Sequence, residues 1–241
     1  MKNFFSFFAI IALSICTFTT ATAQSFQQTV NGFSKKKTSY ITKTDGTVLE
    51  GEIDGIKRKK GMPKLVKFEV SGKVLELSSD EIKSMKAAPS GWGQYTAAVE
   101  STTNLKKIQD KAYEEVDRDF SYYEQAAIPT RKGHTVLMQL VNPGFDSKIK
   151  VYSDPWAKES MGIGVAGITV AGGIDKSYWV KKAGSKDAFK VEKKSYKKQF
   201  KELFGDCPKL MKMLKDKQVR WADFAEHVGT YTFDCEKKSR K

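Results

Sequence analysis

Hydrophobic and polar positions alternate with period two along most of this chain and turn to a period near 3.6 only towards its C-terminal end. The first pattern predicts strands with one packed face, the second short amphipathic helices. Between Ser39 and Met85 the alternation comes in short runs divided by turn dipeptides. SYITKTDGTVLEGEIDGI places a run on each side of Asp45 and Gly46, and KLVKFEVSGKVLELSSDEIKSM does the same around Ser71 and Gly72. Both are hairpin signals. Four strands in so short a stretch predict a small antiparallel barrel-like module or a curled sheet over residues 39–90. The basic segment between the hairpins, KRKKGMPK at 57–64, carries Gly61 and Pro63 and reads as a solvated loop.

APSGWGQY (88–95) marks a boundary. Beyond it Leu105, Ile108, Ala112 and Val116 recur at helical spacing and predict one amphipathic helix with an acidic, solvated face. FSYYEQAA, HTVLMQLVN, DSKIKVYSD, SYWVKKAG and DAFKVEKK then read as strands, with turns at 142–144 and 183–185. The positions of Tyr178, Val180 and Lys182 suggest a second antiparallel sheet with one packed and one wet face. From residue 195 three apolar stripes follow: Tyr196, Phe200, Leu203 and Phe204; Leu210, Met211 and Leu214; and Trp221, Phe224 and Val228. Asp206 reads as the N-cap of the second helix and Pro208 as part of its first turn. The fold class is therefore α+β: an N-terminal barrel-like module, a second antiparallel sheet reached through a linker helix (91–194), and a three-helix cap (195–241).

The start of the chain contributes nothing to that core. After Lys2 an apolar run from Phe4 to Cys16 is followed by a polar stretch and by Ala21, Thr22 and Ala23, the layout of a secretory signal cleaved near Ala23. Thirteen apolar residues as a helix span about 20 Å, short of the roughly 30 Å hydrocarbon core, so the run is too short to anchor the chain. The sequence thus predicts a signal peptide (1–23), a flexible lead-in (24–38) and an exported protein, periplasmic, surface-bound or secreted, with no transmembrane segment once the signal is removed. Export leaves Cys207 and Cys235 in a compartment where disulfides persist, and one pairing is available to them.

Candidate chemistry narrows little further. Gly162 to Gly167 spell G-x-G-x-x-G, but the flanking residues do not make the strand and helix a nucleotide site requires. His134 and His227 are the only histidines and come without metal-ligand spacing. Ser34 with Lys37, and Ser195 with Lys198, match S-x-x-K without the companion motifs of a serine acyl enzyme. No cofactor, metal or catalytic residue is nominated. The net charge of +14 is carried almost wholly by lysine. Sequence-reading of nucleic acid favours arginine forks, so nucleic acid is disfavoured as a partner. Diffuse lysine suits anionic lipid, lipopolysaccharide, acidic polysaccharide or an envelope protein, with Lys57, Arg58, Lys59 and Lys60 as the candidate contacts.

LMQLVNPGFDSKIKVYSDP (137–155), AGGIDKSYWVKKAG (171–184) and YKKQFKELFGDCPKLM (196–211) together resemble a group of exported proteins of Gram-negative bacteria. That group combines a turn-rich barrel-like segment with a C-terminal "DCP" helix and a final cysteine. Asp234 stands before that cysteine where similar proteins often carry Asn. The resemblance implies architecture and export and transfers no catalytic residue. Two expectations follow: a noncatalytic binding or structural module with a lysine-rich surface, or, as the alternative, a hydrolase of envelope polymer using paired carboxylates.

Overall fold

A computed structural model describes residues 25–91, 119–129, 135–157, 164–165, 168–169 and 176–235. The signal segment and its cleavage point, the amphipathic helix expected around residues 105–116, and His134 lie outside the described residues.

Ten strands form one antiparallel sheet. In chain order they are β1 (Ser39–Lys43), β2 (Val48–Lys59), β3 (Met62–Val70), β4 (Lys73–Ser78), β5 (Ile82–Ala87), β6 (Ser121–Ala127), β7 (Thr135–Leu140), β8 (Ile149–Ser153), and, after a separate two-stranded pair of β9 (Gly164–Val165) and β10 (Ile168–Thr169), β11 (Ser177–Lys182) and β12 (Phe189–Glu192). The spatial order is β12-β11-β8-β7-β6-β5-β1-β2-β3-β4. Three helices follow: α1 (Tyr196–Phe204), α2 (Pro208–Lys215) and α3 (Phe224–Phe233), the last preceded by a 3-10 turn at Trp221–Asp223. The class is α+β.

Several expectations change. The two sheets are one, because β5 pairs with β1 on one side (Ile41 opposite Met85) and with β6 on the other (Met85 opposite Tyr123). β5 is a strand in its own right: a 3-10 turn at Ser79–Glu81 separates it from β4, with Glu81 accepting the Ser78 backbone N–H at 2.8 Å. The order has β4 and β12 at its ends, so the strands of 39–90 curl around their own core without closing into a hydrogen-bonded barrel. Gly51 permits the tightest part of that curl, since a Cβ there would fall 2.0 Å from the Glu69 carbonyl oxygen. The basic segment 57–64 is a hairpin and no loop: β2 runs to Lys59, β3 starts at Met62, and Arg58 pairs with Pro63. Lys60 and Gly61, at φ 53° and 80°, make the tight turn whose handedness matches strand twist.

The sheet is also covered on both faces around Tyr178, Trp179 and Val180 of β11. Tyr178 and Val180 of β11 point towards the helices, into a core with Ile149, Val151, Tyr196, Phe200 and Phe224. Trp179 points the opposite way, into a core with Tyr152, Met138 and Leu140. Both sets are buried, so Tyr178, Trp179 and Val180 make a short apolar run covered on both faces, ahead of the half-buried Lys181 and Lys182. A third core fills the curl, from Ile41, Ile53, Val66, Phe68, Ile82 and Leu137.

The helical cap matches its stripes. Cys207 is the N-cap of α2, one residue later than Asp206, and Pro208 occupies the first turn. The Asp206 carboxylate instead accepts the Tyr231 hydroxyl at 2.7 Å. The sulfurs of Cys207 and Cys235 meet with Cα atoms 5.2 Å apart, within the span of a disulfide, which ties the start of α2 to the end of α3.

The lead-in, expected to be flexible, is pinned along residues 26–34. Phe26 inserts among Phe145, Tyr178 and Phe224. Gln139 of β7 donates to the Gln28 carbonyl (2.8 Å) and accepts from the Val30 N–H (3.1 Å), and Tyr123 donates to the Val30 carbonyl (3.1 Å). Phe33 bridges to Pro89. This path brings Thr29 and Asn31 to the cleft beside the β2–β3 hairpin.

Candidate functional site

Where the hairpin tip meets the end of β8 there is a cleft of about 320 Å³, lined among others by Arg58, Met62, Tyr123, Gln139 and Asp154. The tip is seated closely. A Cβ on Gly61 would stand 2.7 Å from Pro155 Cβ, and Pro155 also lines the cleft.

Asp154 holds that wall in place. Its side chain is fully buried. Oδ2 accepts the Ser177 hydroxyl at 2.6 Å and faces Lys190 Nζ at 2.9 Å. Oδ1 accepts the Trp179 indole N–H at 3.3 Å and the backbone N–H of Trp156 at 3.1 Å. Ala157 N–H closes the turn on the Asp154 carbonyl at 2.9 Å. Burying a carboxylate is costly unless it is paired and hydrogen-bonded in this way. The turn it fixes presents Trp156, whose side chain is among the exposed large apolar groups at 41%.

The four basic candidates separate. Lys57, Lys59 and Lys60 are exposed, as is Lys64. None of them makes an ion pair with an acid among the described residues. Arg58 is half-buried: alternation along β2 turns it inwards, its guanidinium 5.7 Å from the centre of the Phe33 ring. It also lies near the Tyr123 phenol, which burial pushes up to about 12 against the opposing pull of Arg58. Tyr123 is therefore a neutral hydroxyl at physiological pH. Five cations and no acid lie between Asp54 and Lys67, and Lys67 itself makes six before Glu69; Lys67 is paired, with Glu76 at 3.0 Å. A second basic surface lies on the cap, where residues 193–217 hold nine lysines against three acids.

A different groove, about 520 Å³, gathers Glu124, Asp146, Lys150, Lys181 and Lys182. Glu124 and Asp146 converge there on Lys150 Nζ, at 2.6 and 3.6 Å. Glu124 also accepts the Tyr152 hydroxyl at 2.5 Å. Burial, partly countered by Lys150, raises the Asp146 carboxyl. The amine between them holds the two acids as a network.

The remaining sequence candidates are dispersed. Gly164 and Val165 pair with Ile168 and Thr169 as strands, so this part of the glycine motif is no helix start; the rest of it lies outside the described residues. Ser34 Oγ accepts the backbone N–H groups of Lys36 and Lys37. His227 is wholly buried, its Nδ1 2.7 Å from the Tyr196 hydroxyl. Among the described residues no group of three or more acids, histidines or cysteines is placed to hold a metal, and no helix is long and apolar enough to cross a membrane. Sequence reasoning missed Asp154, Trp156, Tyr123 and Gln139. The D-P-W run was the one available sign, since a turn former followed by Trp places a large ring on a loop.

No family model matches the chain, and no curated protein or solved structure matches it significantly.

Proposed function

We propose that this is an exported, noncatalytic binding module that holds an extended polyanion through the β2–β3 hairpin. The observation that carries the reading is the run of cations without an acid, of which Lys57, Lys59, Lys60 and Lys64 stand exposed and outside any ion pair among the described residues, with Lys57 acting on Glu76 only at longer range. Exposed lysines keep full charge at little desolvation cost and attract polymer without fixing its pose. The lysines of the helical cap extend the same attraction over a second surface, which suits a polymer better than a point ligand.

Such contacts release counterions, so affinity must fall steeply with salt. The test is titration with inorganic polyphosphate at 50 and 500 mM NaCl, and with a variant carrying Lys57→Gln, Lys59→Gln, Lys60→Asn and Lys64→Gln. Asn is used at position 60 because it tolerates the left-handed backbone there. The wild type should lose at least about tenfold in affinity with salt, and the variant should bind weakly with a shallower salt slope. Salt-independent binding, or a variant equal to the wild type, would overturn the reading. Export is checked separately by the mass of the native protein, expected to begin at Gln24.

The hydrolase alternative is represented by Glu124 and Asp146. Release of reducing ends from an acidic polysaccharide by the wild type, lost in Glu124→Gln, would favour it; the binding reading expects no release.

A further inference from the structure

We propose that the cleft beneath the hairpin tip is a site for one small hydroxy-carboxylate, with the size and chemistry of a free sugar acid, held through its carboxylate by Arg58. The site goes beyond the polyanion reading, because it uses the face of β2 that the exposed lysines do not. Alternation along β2 leaves Lys57 and Lys59 exposed and turns Arg58 inwards, where it is half-buried and lines the cleft together with Tyr123 and Gln139. A cation turned inwards gives up part of its hydration, a cost that a counter-charge offsets.

The described residues do not supply that counter-charge. Arg58 is the one described guanidinium outside an ion pair, since Arg220 is engaged by Asp223 at 2.7 and 2.9 Å. The other charged side chain lining the cleft, Asp154, is balanced by Lys190 and accepts from Ser177, Trp179 and the Trp156 backbone N–H. The lining therefore carries one uncompensated positive charge, which a monoanion neutralises. A carboxylate fits best, because it is planar and takes two parallel N–H bonds from a guanidinium, which an ammonium cannot supply. The Phe33 ring beside the guanidinium holds it ready, and a preorganised group loses less freedom on binding.

The neutral part of the lining calls for hydroxyl groups on the same ligand. Thr29 and Ser153 share one hydrogen bond at 3.0 Å, which leaves one of their two O–H groups unspent. The exposed Asn31 adds a carboxamide at the edge, and Met62, Leu137 and Met138 give the apolar wall that the C–H surface of a ring covers. At about 320 Å³ the cleft sits at the lower end of the roughly 300 to 1,000 Å³ typical of ligand sites, which suits a single ring.

The experiment is calorimetric titration with monomeric galacturonate, neutral galactose, inorganic phosphate and inorganic polyphosphate. Proteins are the wild type, Arg58→Lys and the four-lysine variant, each first shown to melt as the wild type does. The site predicts that galacturonate binds at least about tenfold more tightly than galactose or phosphate, and that Arg58→Lys weakens it at least about tenfold. The four-lysine variant should keep galacturonate within about threefold while losing polyphosphate, because its lysines lie outside the cleft. If the wild type binds polyphosphate and no galacturonate, the cleft site is wrong and the polyanion reading stands; if it binds neither, both fail. Equal loss of galacturonate in Arg58→Lys and the four-lysine variant would reduce the effect to diffuse charge and overturn the site. Phosphate or galactose bound as tightly as galacturonate would overturn the carboxylate assignment.

Discussion

Gly61 packs against Pro155 so closely that a methyl group on Gly61 would come within 2.7 Å of the proline Cβ and 3.2 Å of its carbonyl oxygen. This contact joins the tip of the basic hairpin to the turn that carries Trp156, two segments far apart along the chain. Gly61 also sits at φ 80°, which a side chain disfavours. Gly61→Ala should therefore destabilise the fold by roughly 1 to 3 kcal/mol, from backbone strain and overpacking together. Urea unfolding measures it. Gly72→Ala is the control, because Gly72 shares the positive φ but a Cβ added there would meet nothing within 4 Å; the excess loss at Gly61 isolates the Pro155 contact.

Asp154→Asn leaves Lys190 without its buried counter-charge and turns one acceptor oxygen into a donor facing other donors. A fully buried pair broken this way costs about 3 to 5 kcal/mol, and the partial exposure of Lys190 brings the expected loss to roughly 2 to 3 kcal/mol. The same change loosens the turn under Trp156. Fluorescence of the exposed indole should then show faster quenching by acrylamide than in the wild type.

The Cys207–Cys235 link spans 28 residues. In the chain-entropy treatment closing such a loop stabilises by about 3 to 4 kcal/mol. Replacing both cysteines by Ala should lower the midpoint of urea unfolding accordingly, and adding reductant should lower the wild type and leave the double variant unchanged. An equal response of both proteins to reductant would show that no bond forms.

His227 makes stability depend on pH. Burial lowers its pKa to about 4 from the ordinary 6.5, with Asp223 opposing and Arg220 assisting the shift. Tyr196, whose phenol burial raises, meets Nδ1, and no hydrogen-bond partner reaches Nε2 among the rings of Phe200 and Phe204. Below pH 6.5 the unfolded chain takes up a proton that the folded chain refuses until about pH 4. Stability is complete above 6.5 and declines through that window. At about pH 4.5 the loss should reach about 2.5 kcal/mol relative to about pH 7.5. Because carboxylates titrate nearby, the quantity to measure is the difference between the wild type and His227→Gln, which should lack this component.

Much of the local structure follows from the amino-acid order alone. The turns at Asp45–Gly46 and Ser71–Gly72, the strands around Tyr122, Leu137, Val151, Val180 and Val191, and the three helices are each set by side-chain period and turn chemistry within a dozen residues. The 5.2 Å approach of Cys207 and Cys235 follows from folding two adjacent short helices back on each other. What only the tertiary structure decides is which of these pieces become neighbours. Pattern cannot say that β5 pairs with both β1 and β6, because an alternating strand offers the same two edges to any partner. It also misplaces Pro63, which as a residue reads as a loop former and in the fold is a buried strand residue opposite Arg58. Arg58 and Pro155 are nearly a hundred positions apart in the sequence. They line one cleft because the hairpin curls over until Gly61 rests on Pro155, and that long-range packing leaves no periodic trace in the sequence.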